Sequence, residues 1–407
     1  MKLKNVDYIE DIEEKGDDFE DLKNEDEEVE KHEDIRAKWK RIKKQYKIPS
    51  YKELTKGWFS LQPLLDYNRH LLMSVGMRSS GKSTGASLWL LMWYLDTGQG
   101  WIYSRRDKDE VDETADSWFD NAVGILNSYI TEEEDKIELT YTGRRYYVWN
   151  ELAGIAVSLK KQQKLKSKNL SWVKWQVYDE AITMDGKGYI GGMADPEKEY
   201  DYIMSLRTTA DRDIGKAYRD EVVVIVLANN ESFFNPIYMA TGADKYIRMD
   251  THFLAPKGEE WVVQQMRPED SPNAAEYKET VAYKLASQRM RQRDFENYND
   301  EQVARNKFIK KIEKPMKTVC NFHYDGYDMQ VKVDYKSGLV YICKGSAEGV
   351  PDYALTLDDH RPNYLLILTR GTEGWVGLVK NFILNGLVYF ENDKCWRNVC
   401  TFYRFIV

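Results

Sequence analysis

"GMRSSGKST", residues 76–84, matches the phosphate-loop pattern G-x-x-x-x-G-K-[ST] at every fixed position. The apolar run before it, "HLLMSVG" (70–76), predicts a buried strand. The run after it, "STGASLWLLMWYLDTG" (83–98), predicts a helix that ends near Gly98. A phosphate loop needs this context, because its backbone N–H groups and the helix N-terminus together hold the phosphates. The stretch therefore predicts a nucleotide-binding α/β domain.

The loop residues differ in their expected roles. Gly76 and Gly81 permit close approach of the backbone to the phosphates. Lys82 is expected to reach the β- and γ-phosphates of ATP, and Ser83 to hold Mg²⁺. Arg78 is not required by the pattern, so it either contacts the γ-phosphate or points to solvent. The predicted nucleotide-binding set is Gly76, Met77, Arg78, Ser79, Ser80, Gly81, Lys82, Ser83 and Thr84.

Three more stretches predict strands of the same sheet. They are "GWIYSRR" (100–106), "KWQVYDE" (174–180) and "EVVVIVLANN" (221–230). Strands that alternate with helical segments favour a mostly parallel α/β sheet. Lys174 and Gln176 interrupt the second stretch, and this predicts a strand near a sheet edge or a solvated face.

Polar residues at the ends of two of these strands complete the predicted site. Asp179 fits the strand-end carboxylate that holds Mg²⁺ in phosphoryl transfer. Glu180 fits the general base of the additional-strand ATPases. Asn229 is expected to sense the γ-phosphate through a water, with a simple strand-to-loop turn as the alternative. The acidic pair favours ATP hydrolysis over a nucleotide-gated switch, because a switch needs no dedicated base.

A hydrolysing P-loop ATPase also needs positive charge near the transferred phosphoryl group, and a neighbouring subunit often supplies it. Each available cation taken alone is an ordinary surface charge. Taken together, they suggest that a neighbouring subunit completes the site. The candidates are Lys166, Arg207, Arg212 and Arg219.

Charge is distributed unevenly in this chain of 407 residues, whose net charge is −8. Residues 1–34 carry 16 acidic residues and 5 lysines, with few apolar residues, which predicts a disordered or marginally helical tail. Residues 36–47 carry seven Lys or Arg and no acid, and a short basic helix that ends before Pro49 is predicted over 35–47. This helix is either solvated, folded against the acidic tail, or in contact with nucleic acid. No apolar run is long enough to predict a membrane span.

The last part of the chain predicts a separate small α/β domain. "TVCNFHYDGYDMQVKVDYKSGLVYICKG", from residue 318, predicts an antiparallel meander with tight turns at Asp325-Gly326 and Ser337-Gly338. A strand over 364–369 and a helix over 377–390 follow. The four cysteines form no metal-binding pattern, so reduced and mostly buried thiols are expected.

Residues 276–306 are largely helical by pattern, and 284–317 carry ten Lys or Arg against five acids. Such a stretch predicts sequence-independent, salt-sensitive contacts to DNA phosphates. A solvated helix face, or one that contacts neighbouring subunits or another protein, is the alternative.

Taken together, these stretches resemble the DNA-packaging ATPases of small tailed podoviruses, the encapsidation-protein family. The resemblance covers roughly residues 60–407. The stretches that carry it are "LLDYNRHLLMSVGMRSSGKS", "IYSRRDK", "TGRRYYV", "VYDE", "LANNESFFNPIY", "SGLVYI", "LTLDD" and "FILNGLVYFEN".

The resemblance implies an additional-strand P-loop ATPase domain over 51–245, a helical linker over 246–310 and a degenerate RNase H-like domain over 311–407. The first 50 residues fall outside it as a largely disordered extension. It also implies a homomeric ring, pentameric in that family, on the portal of an empty prohead in the host cytoplasm. The ring would thread double-stranded DNA inward with ATP and Mg²⁺, and an RNA scaffold is left open as a further partner.

The resemblance also bears on individual residues. It makes Lys166 and Arg207 the first trans-acting candidates, and Arg212 competes with Arg207. It implies that the nuclease-like domain has lost its metal-binding acids. The acids of that domain resemble turn and cap residues; they are Asp325, Asp328, Asp334, Asp358 and Asp359.

Two alternatives to the packaging motor remain from the sequence. One is a large-terminase-like ATPase with an active C-terminal nuclease, which would cleave DNA with two metal ions held by about three clustered carboxylates. The other is a nucleotide-gated assembly protein that turns over slowly and does not translocate DNA. No membrane partner is expected.

Overall fold

The computed structural model describes eleven segments of the chain: 34–166, 168–182, 189–191, 197–212, 219–230, 235–247, 251–287, 291, 308–366, 374–384 and 387–406. Within them the chain forms a sheet of nine strands and a second sheet of six. One hydrophobic core lies on each face of the first sheet, and a third core belongs to the second sheet. The two sheets are therefore built as separate units.

The helices are α1 Ile35–Tyr46, α2 Tyr51–Leu54, α3 Gln62–Leu65, α4 Lys82–Thr97, α5 Lys108–Thr114, α6 Asp120–Asn127, α7 Lys198–Ala210, α8 Pro236–Thr241, α9 Val281–Leu285, α10 Gly374–Leu384 and α11 Asp393–Ile406. The strands of the first sheet are β1 Leu71–Gly76, β2 Gly100–Arg105, β3 Leu139–Thr142, β4 Arg145–Val148, β5 Glu151–Ser158, β6 Val173–Tyr178, β7 Val223–Asn229, β8 Phe253–Leu254 and β9 Trp261–Gln265. Those of the second are β10 Lys317–Tyr324, β11 Tyr327–Asp334, β12 Leu339–Lys344, β13 Asp352–Ala354, β14 Leu365–Leu366 and β15 Val388–Phe390.

The first sheet has the strand order β3-β4-β5-β2-β6-β7-β1-β9-β8. Strand β1, which is buried along its whole length, pairs in parallel with β7 and β9. Strand β7 also pairs in parallel with β6, so one strand separates the phosphate-loop strand from the strand that leads to Asp179. This is the additional-strand arrangement, and the predicted α/β P-loop fold is confirmed.

Strand β6 lies in the middle of this sheet, between β2 and β7. The predicted position near an edge or a solvated face is therefore wrong. Gln176 is fully buried, and its side-chain amide donates a hydrogen bond to the carbonyl of Ile203 in α7 at 3.2 Å. A buried amide is tolerated where a helix carbonyl can pair with it, so an interrupted apolar pattern does not exclude a central strand.

The first sheet continues beyond residue 245, where the sequence predicted the start of a helical linker. Strand β9 pairs with β1 from Leu71 to Val75, and β8 pairs with β9 in antiparallel orientation. The predicted boundary is wrong because a buried parallel strand such as β1 needs a partner on both sides. Of the region expected to be helical (276–306), the structure describes a 3₁₀ turn over Pro272–Glu279 and helix α9, and most of the rest lies outside the described residues.

Helix α1 belongs to the core of the first unit. Ile35, Trp39 and Ile42 are buried in the same cluster as side chains of α4. Asp34 begins the helix by accepting a hydrogen bond from the N–H of Arg36. The predicted basic helix is thus present, but treating all of residues 1–50 as a separate extension is wrong. Residues 1–33 lie outside the described residues.

The second sheet has the order β14-β13-β10-β11-β12-β15. Strands β10, β11 and β12 form the predicted antiparallel meander, and β13 and β14 add in parallel beside β10. Strands β10 to β14 follow the strand order of the RNase H fold, and β15 is an additional strand beside β12. The helix predicted over 377–390 is wrong at its end, because α10 stops at Leu384 and Val388–Phe390 is strand β15, parallel to β12. Asn385-Gly386, a turn-favouring pair in the sequence, falls between the two elements.

Candidate nucleotide site

The phosphate loop joins the carboxyl end of β1 to the start of α4. Ser79 and Gly81 have left-handed backbone angles, with φ of 55° and 86°, which glycine adopts without a steric cost. At Gly76 the limit is space, because an added Cβ would lie 2.6 Å from side-chain atoms of Met266. Both glycines of the pattern are therefore required by the observed geometry.

The segment that follows β9 forms hydrogen bonds with the end of β1 and with the phosphate loop. The N–H of Met266 donates to the carbonyl of Val75 at 2.8 Å, and the hydroxyl of Ser271 donates to the carbonyl of Ser80 at 2.8 Å. These contacts join residues almost 200 positions apart. Sequence reasoning missed them, because it had placed residues 246–310 in a linker.

Lys82 is nearly buried at the start of α4. Its ammonium donates to the carbonyl oxygen of Met77 at 2.6 Å and lies 3.3 Å from the side-chain oxygen of Asn229. Asn229 reaches this position because it is aligned with Gly76 in the pairing of β7 with β1. The structure thus brings the predicted phosphate-binding lysine and the predicted sensor into direct contact.

Ser83 and Asp179 face each other across the same cavity. The hydroxyl oxygen of Ser83 lies 3.4 Å and 3.5 Å from the two carboxylate oxygens of Asp179, whose residue is 5% exposed. A hydroxyl and one carboxylate fit Mg²⁺, which takes oxygen ligands and usually completes its shell with phosphates and waters. The indole N–H of Trp118 donates to the same carboxylate at 2.9 Å and fixes its orientation.

Glu180 is oriented differently from its neighbour Asp179. Its φ is 54°, a left-handed value that is uncommon for a non-glycine residue, and its side chain is 62% exposed. Because of this turn, the two adjacent carboxylates occupy different environments, one buried and one open to the cavity. The cavity is lined by loop residues and by Asp179, Glu180 and Asn229.

Arg105, at the end of β2, connects the two carboxylates. Its guanidinium lies 3.4 Å from Asp179 and 3.1 Å from Glu180, while its Nε donates to the hydroxyl of Tyr103 at 2.7 Å. Burial lowers the pKa of Arg105, but Tyr103 and the two carboxylates outweigh burial and hold that pKa above its usual value. Sequence reasoning missed Arg105 as a site residue, although the arginine pair after β2 was a signal.

Arg106, the second arginine of the pair at the end of β2, connects that strand to α7. Arg106 makes a two-pronged ion pair with Glu199, at 2.9 Å and 2.8 Å, and Glu199 is fully buried. The hydroxyl of Tyr178 and the N–H of Ile190 also donate to Glu199. All the lone pairs of this carboxylate are thus engaged, which a buried charge requires.

Two further residues of the predicted set are Arg78, which is exposed, and Thr84, which lines the cavity. Thr84, in the first turn of α4, accepts a hydrogen bond from the side chain of Asn121 at 3.3 Å.

The predicted trans-acting cations do not lie near the phosphate loop of their own chain. Arg207 donates to the carbonyl of Val222 at 2.9 Å and pairs with Asp220 at 2.9 Å, next to the start of β7. The phosphate loop follows the opposite end of the adjacent parallel strand. Arg212 donates to the carbonyl of Lys166 at 3.0 Å, so these two candidates share one surface.

The fourth candidate cation, Arg219, is held at the start of β6. Its guanidinium donates to the carbonyl of Val173 at 3.0 Å and to the carbonyl of Ala210 at 2.8 Å. Arg219 is therefore engaged by backbone carbonyls at the end of the sheet opposite the phosphate loop.

The acids of the second unit are engaged separately. Asp359 accepts from the N–H groups of Asp325 and Gly326 at 2.8 Å and 2.9 Å, Asp334 pairs with Lys314, and Asp328 pairs with His323 at 2.7 Å. Within the described segments, no three His, Cys, Asp or Glu side chains are grouped to hold a metal ion. No helix in those segments is both long and apolar enough to cross a membrane.

The basic stretch 284–317 is described only in part. Lys284, Arg291 and the lysines from 310 to 317 lie in described segments. Lys311 and Lys314 pair with Glu313 and Asp334. A role of this stretch in DNA contact stays a prediction. Four of its cations fall outside the described residues: Arg289, Arg293, Arg305 and Lys307.

Comparison with known proteins adds to this geometry. A family model described as Podovirus DNA encapsidation protein (Gp16) matches residues 55–406. The DNA packaging protein of Bacillus phage phi29 is 26% identical over 346 residues, which cover 83% of this chain and 94% of the relative. The DNA packaging protein of Bacillus phage B103 is 26% identical over 340 residues, which cover 81% and 95%. A solved chain of the bacteriophage Phi-29 viral genome packaging motor assembly covers 86% of this chain and 99% of its own length, with a TM-score of 0.57 at 24% identity, and so shares the fold.

Proposed function

Because the chain belongs to the podovirus DNA encapsidation protein family, we propose that it is the ATPase of a motor that moves double-stranded phage DNA into a preformed prohead through the portal. The observation that supports this most directly is the cavity at the end of β1. It brings the loop lysine, the strand-end carboxylate and a second, open carboxylate to the same place. Such a set serves hydrolysis, and a binding switch would not need the second carboxylate.

The binding steps follow from the contacts in the site. The N–H groups of the loop would hold the phosphates of ATP, and Lys82 would exchange its contacts with loop carbonyls for phosphate oxygens. Ser83 and Asp179 would hold Mg²⁺, which supplies neutralisation of phosphate charge when it is bound. Trp118 keeps the Asp179 carboxylate in position for this role.

The chemical step requires a base beside the γ-phosphate. Glu180 would take a proton from the attacking water as the water oxygen bonds to the γ-phosphorus and the bond to ADP breaks. Arg105 would position this carboxylate by bridging it to Asp179. Asn229, in contact with Lys82, would report the presence of the γ-phosphate to β7.

The positive charge that the reaction needs would come from a neighbouring copy. Lys166, Arg207 and Arg212 lie away from the loop of their own chain, and this supports a role in trans. The proposed assembly is a pentameric ring on the portal of the prohead in the host cytoplasm, with double-stranded DNA as substrate track. A packaging RNA is an additional candidate partner. An active nuclease is not proposed, because the acids of the second unit hold separate turns and cations.

The first test is ATP hydrolysis by the full chain, with and without double-stranded DNA and proheads. Glu180→Gln should lower kcat by about 10²- to 10⁴-fold, because removal of a general base has that effect, and should leave ATP binding intact. Glu134→Gln, an exposed acid remote from the cavity, is the matched control. DNA packaging that persists in Glu180→Gln would overturn the proposal, as would hydrolysis that neither DNA nor proheads stimulate.

A further inference from the structure

The outward side of helix α1 carries a row of cations, which we call the basic stripe. It consists of Arg36, Lys40 and Lys44, whose spacing of four residues places their side chains on the same side of the helix, and of Lys47, the residue that caps the C-terminus of α1. All four are exposed. The side that carries Trp39 and Ile42 is fully buried against the first unit. The stripe is therefore held on a fixed support.

The remaining cations of α1 are already engaged within the described residues. Lys43 pairs with Asp96 at 2.7 Å, Arg41 pairs with Asp135 at 3.0 Å, and Lys38 lies 4.2 Å above the ring of Trp149.

The four cations of the basic stripe are engaged to a lesser extent. Arg36 pairs with Asp34, the residue that caps the helix. For Lys40, Lys44 and Lys47 the described segments contain no partner. Two cations on helix α1 and a third at its C-cap thus remain available to an anionic partner.

The chain itself provides a matching anionic segment. Residues 1–33 contain 15 acids and five lysines, and they join α1 directly at Asp34. Helix α1 is about 18 Å long, since a helix rises about 1.5 Å per residue. The 33 residues before it can extend to about 110 Å. The segment can therefore fold back along the whole stripe, and its attachment raises its local concentration to the order of millimolar.

We propose that the acidic segment 1–33 docks on the basic stripe of α1 in the free protein. Exposed ion pairs are individually weak, so docking depends on several pairs at once and is lost at high salt. The docked segment would keep the stripe from binding other polyanions non-specifically. Segment and stripe both lie before residue 55, where the match to the family begins, and the proposal does not depend on the proposed motor function.

Carbodiimide cross-linking of the full chain tests the contact directly. The reagent joins a carboxylate and a lysine amine in an amide bond, and the water removed converts the carbodiimide to a urea. Mass spectrometry then locates the links. Acids between residues 7 and 21 should link to the stripe lysines about tenfold more often than to Lys52 and Lys56, because docking raises their local concentration there. These two controls are exposed and close in sequence, but they lie outside α1.

Salt and charge reversal provide the second readout. In about 0.5 M NaCl the preference for the stripe should disappear, because the Debye length falls to a few ångströms. The variant K40E/K44E/K47E should have its acidic segment cut several-fold faster by a Glu-specific protease. K257E/K278E/K336E, which changes the net charge equally at exposed sites elsewhere, should not.

Three results would overturn the proposal. One is linking that is as frequent at Lys52 and Lys56 as on the stripe, and another is a preference that persists at high salt. The third concerns DNA, which is the competing partner. If double-stranded DNA binds through the stripe with equal affinity whether the acids of residues 7–33 are intact or replaced by amides, then the segment does not occupy the stripe.

Discussion

At the scale of single residues, Arg105 has the most informative set of contacts in the candidate site. It lies within hydrogen-bond distance of Asp179 and Glu180, and of the hydroxyl of Tyr103. A planar guanidinium can hold two carboxylates in fixed positions at once. Arg105 therefore orients Glu180 for the role of base proposed here.

We predict that Arg105→Lys lowers kcat for ATP hydrolysis about tenfold while KM for ATP changes less than about twofold, because the change affects only the positioning of the base. A lysine keeps the charge but has no planar fork with which to contact two carboxylates. Steady-state kinetics of the full chain with DNA and proheads would measure both constants.

Arg144→Lys is the matched control, since Arg144 pairs with Asp112 and does not touch the cavity. Unchanged kcat in Arg105→Lys would show that Glu180 does not depend on Arg105. A rise in KM without a fall in kcat would place Arg105 in nucleotide binding instead.

At the scale of elements, α1 shows that a charged segment can also be a core helix. Six of its twelve residues are Lys or Arg, yet Trp39 and Ile42 have no exposed surface. Charge alone would predict that such a helix is solvated and lies outside the core. Its apolar residues recur at helical spacing, and that pattern is the part that decides its packing.

We predict that Trp39→Ala destabilises the first unit by about 3–5 kcal/mol, the usual cost of removing a buried aromatic side chain. Lys40→Ala on the next position should change stability by less than about 0.5 kcal/mol. Urea unfolding followed by fluorescence and by nucleotide binding would compare the two. Equal stability of the two variants would mean that α1 does not belong to this core.

At the scale of the whole molecule, the side chain of Arg397 connects the C-terminal unit to the first unit. The guanidinium of Arg397, on α11, donates to the carbonyl oxygens of Asp244, at 3.3 Å, and Ile247. Those carbonyls follow α8, which comes after β7, the strand that ends at Asn229. The contact of Arg397 thus lies on the chain segment that follows the sensor strand, and this position predicts a role in coupling the two units.

We predict that Arg397→Ala retains basal ATP hydrolysis but loses most of its stimulation by DNA and its packaging activity. The reason is that the C-terminal unit is no longer held to the segment that follows the sensor strand. Hydrolysis and packaging assays with proheads would measure both. Lys394→Ala, which removes an ion pair with Asp325 within the C-terminal unit, is the control and should behave like the unchanged chain.

If Arg397→Ala packages DNA normally, the contact is only structural. If it also loses basal hydrolysis, the effect is on the first unit itself rather than on coupling between the units.

The sequence alone determined the features that depend on neighbouring residues. The phosphate loop, the strand before it and the helix after it are local patterns. The same holds for the acidic pair after β6 and for the turns at Asp325-Gly326 and Ser337-Gly338, and the structure has all of them. The family resemblance rests on such short stretches, and it is confirmed.

Only the tertiary structure decided which distant segments meet. It added β8 and β9 to the first sheet, put the polar Gln176 at its centre, and brought Arg105 and Trp118 to Asp179. Strand partners and site contacts of this kind depend on the packing of residues far apart in the chain. Such packing has no local sequence pattern that would predict it. The catalytic groups could be predicted from local sequence patterns. The residues that position them could be identified only from the tertiary structure.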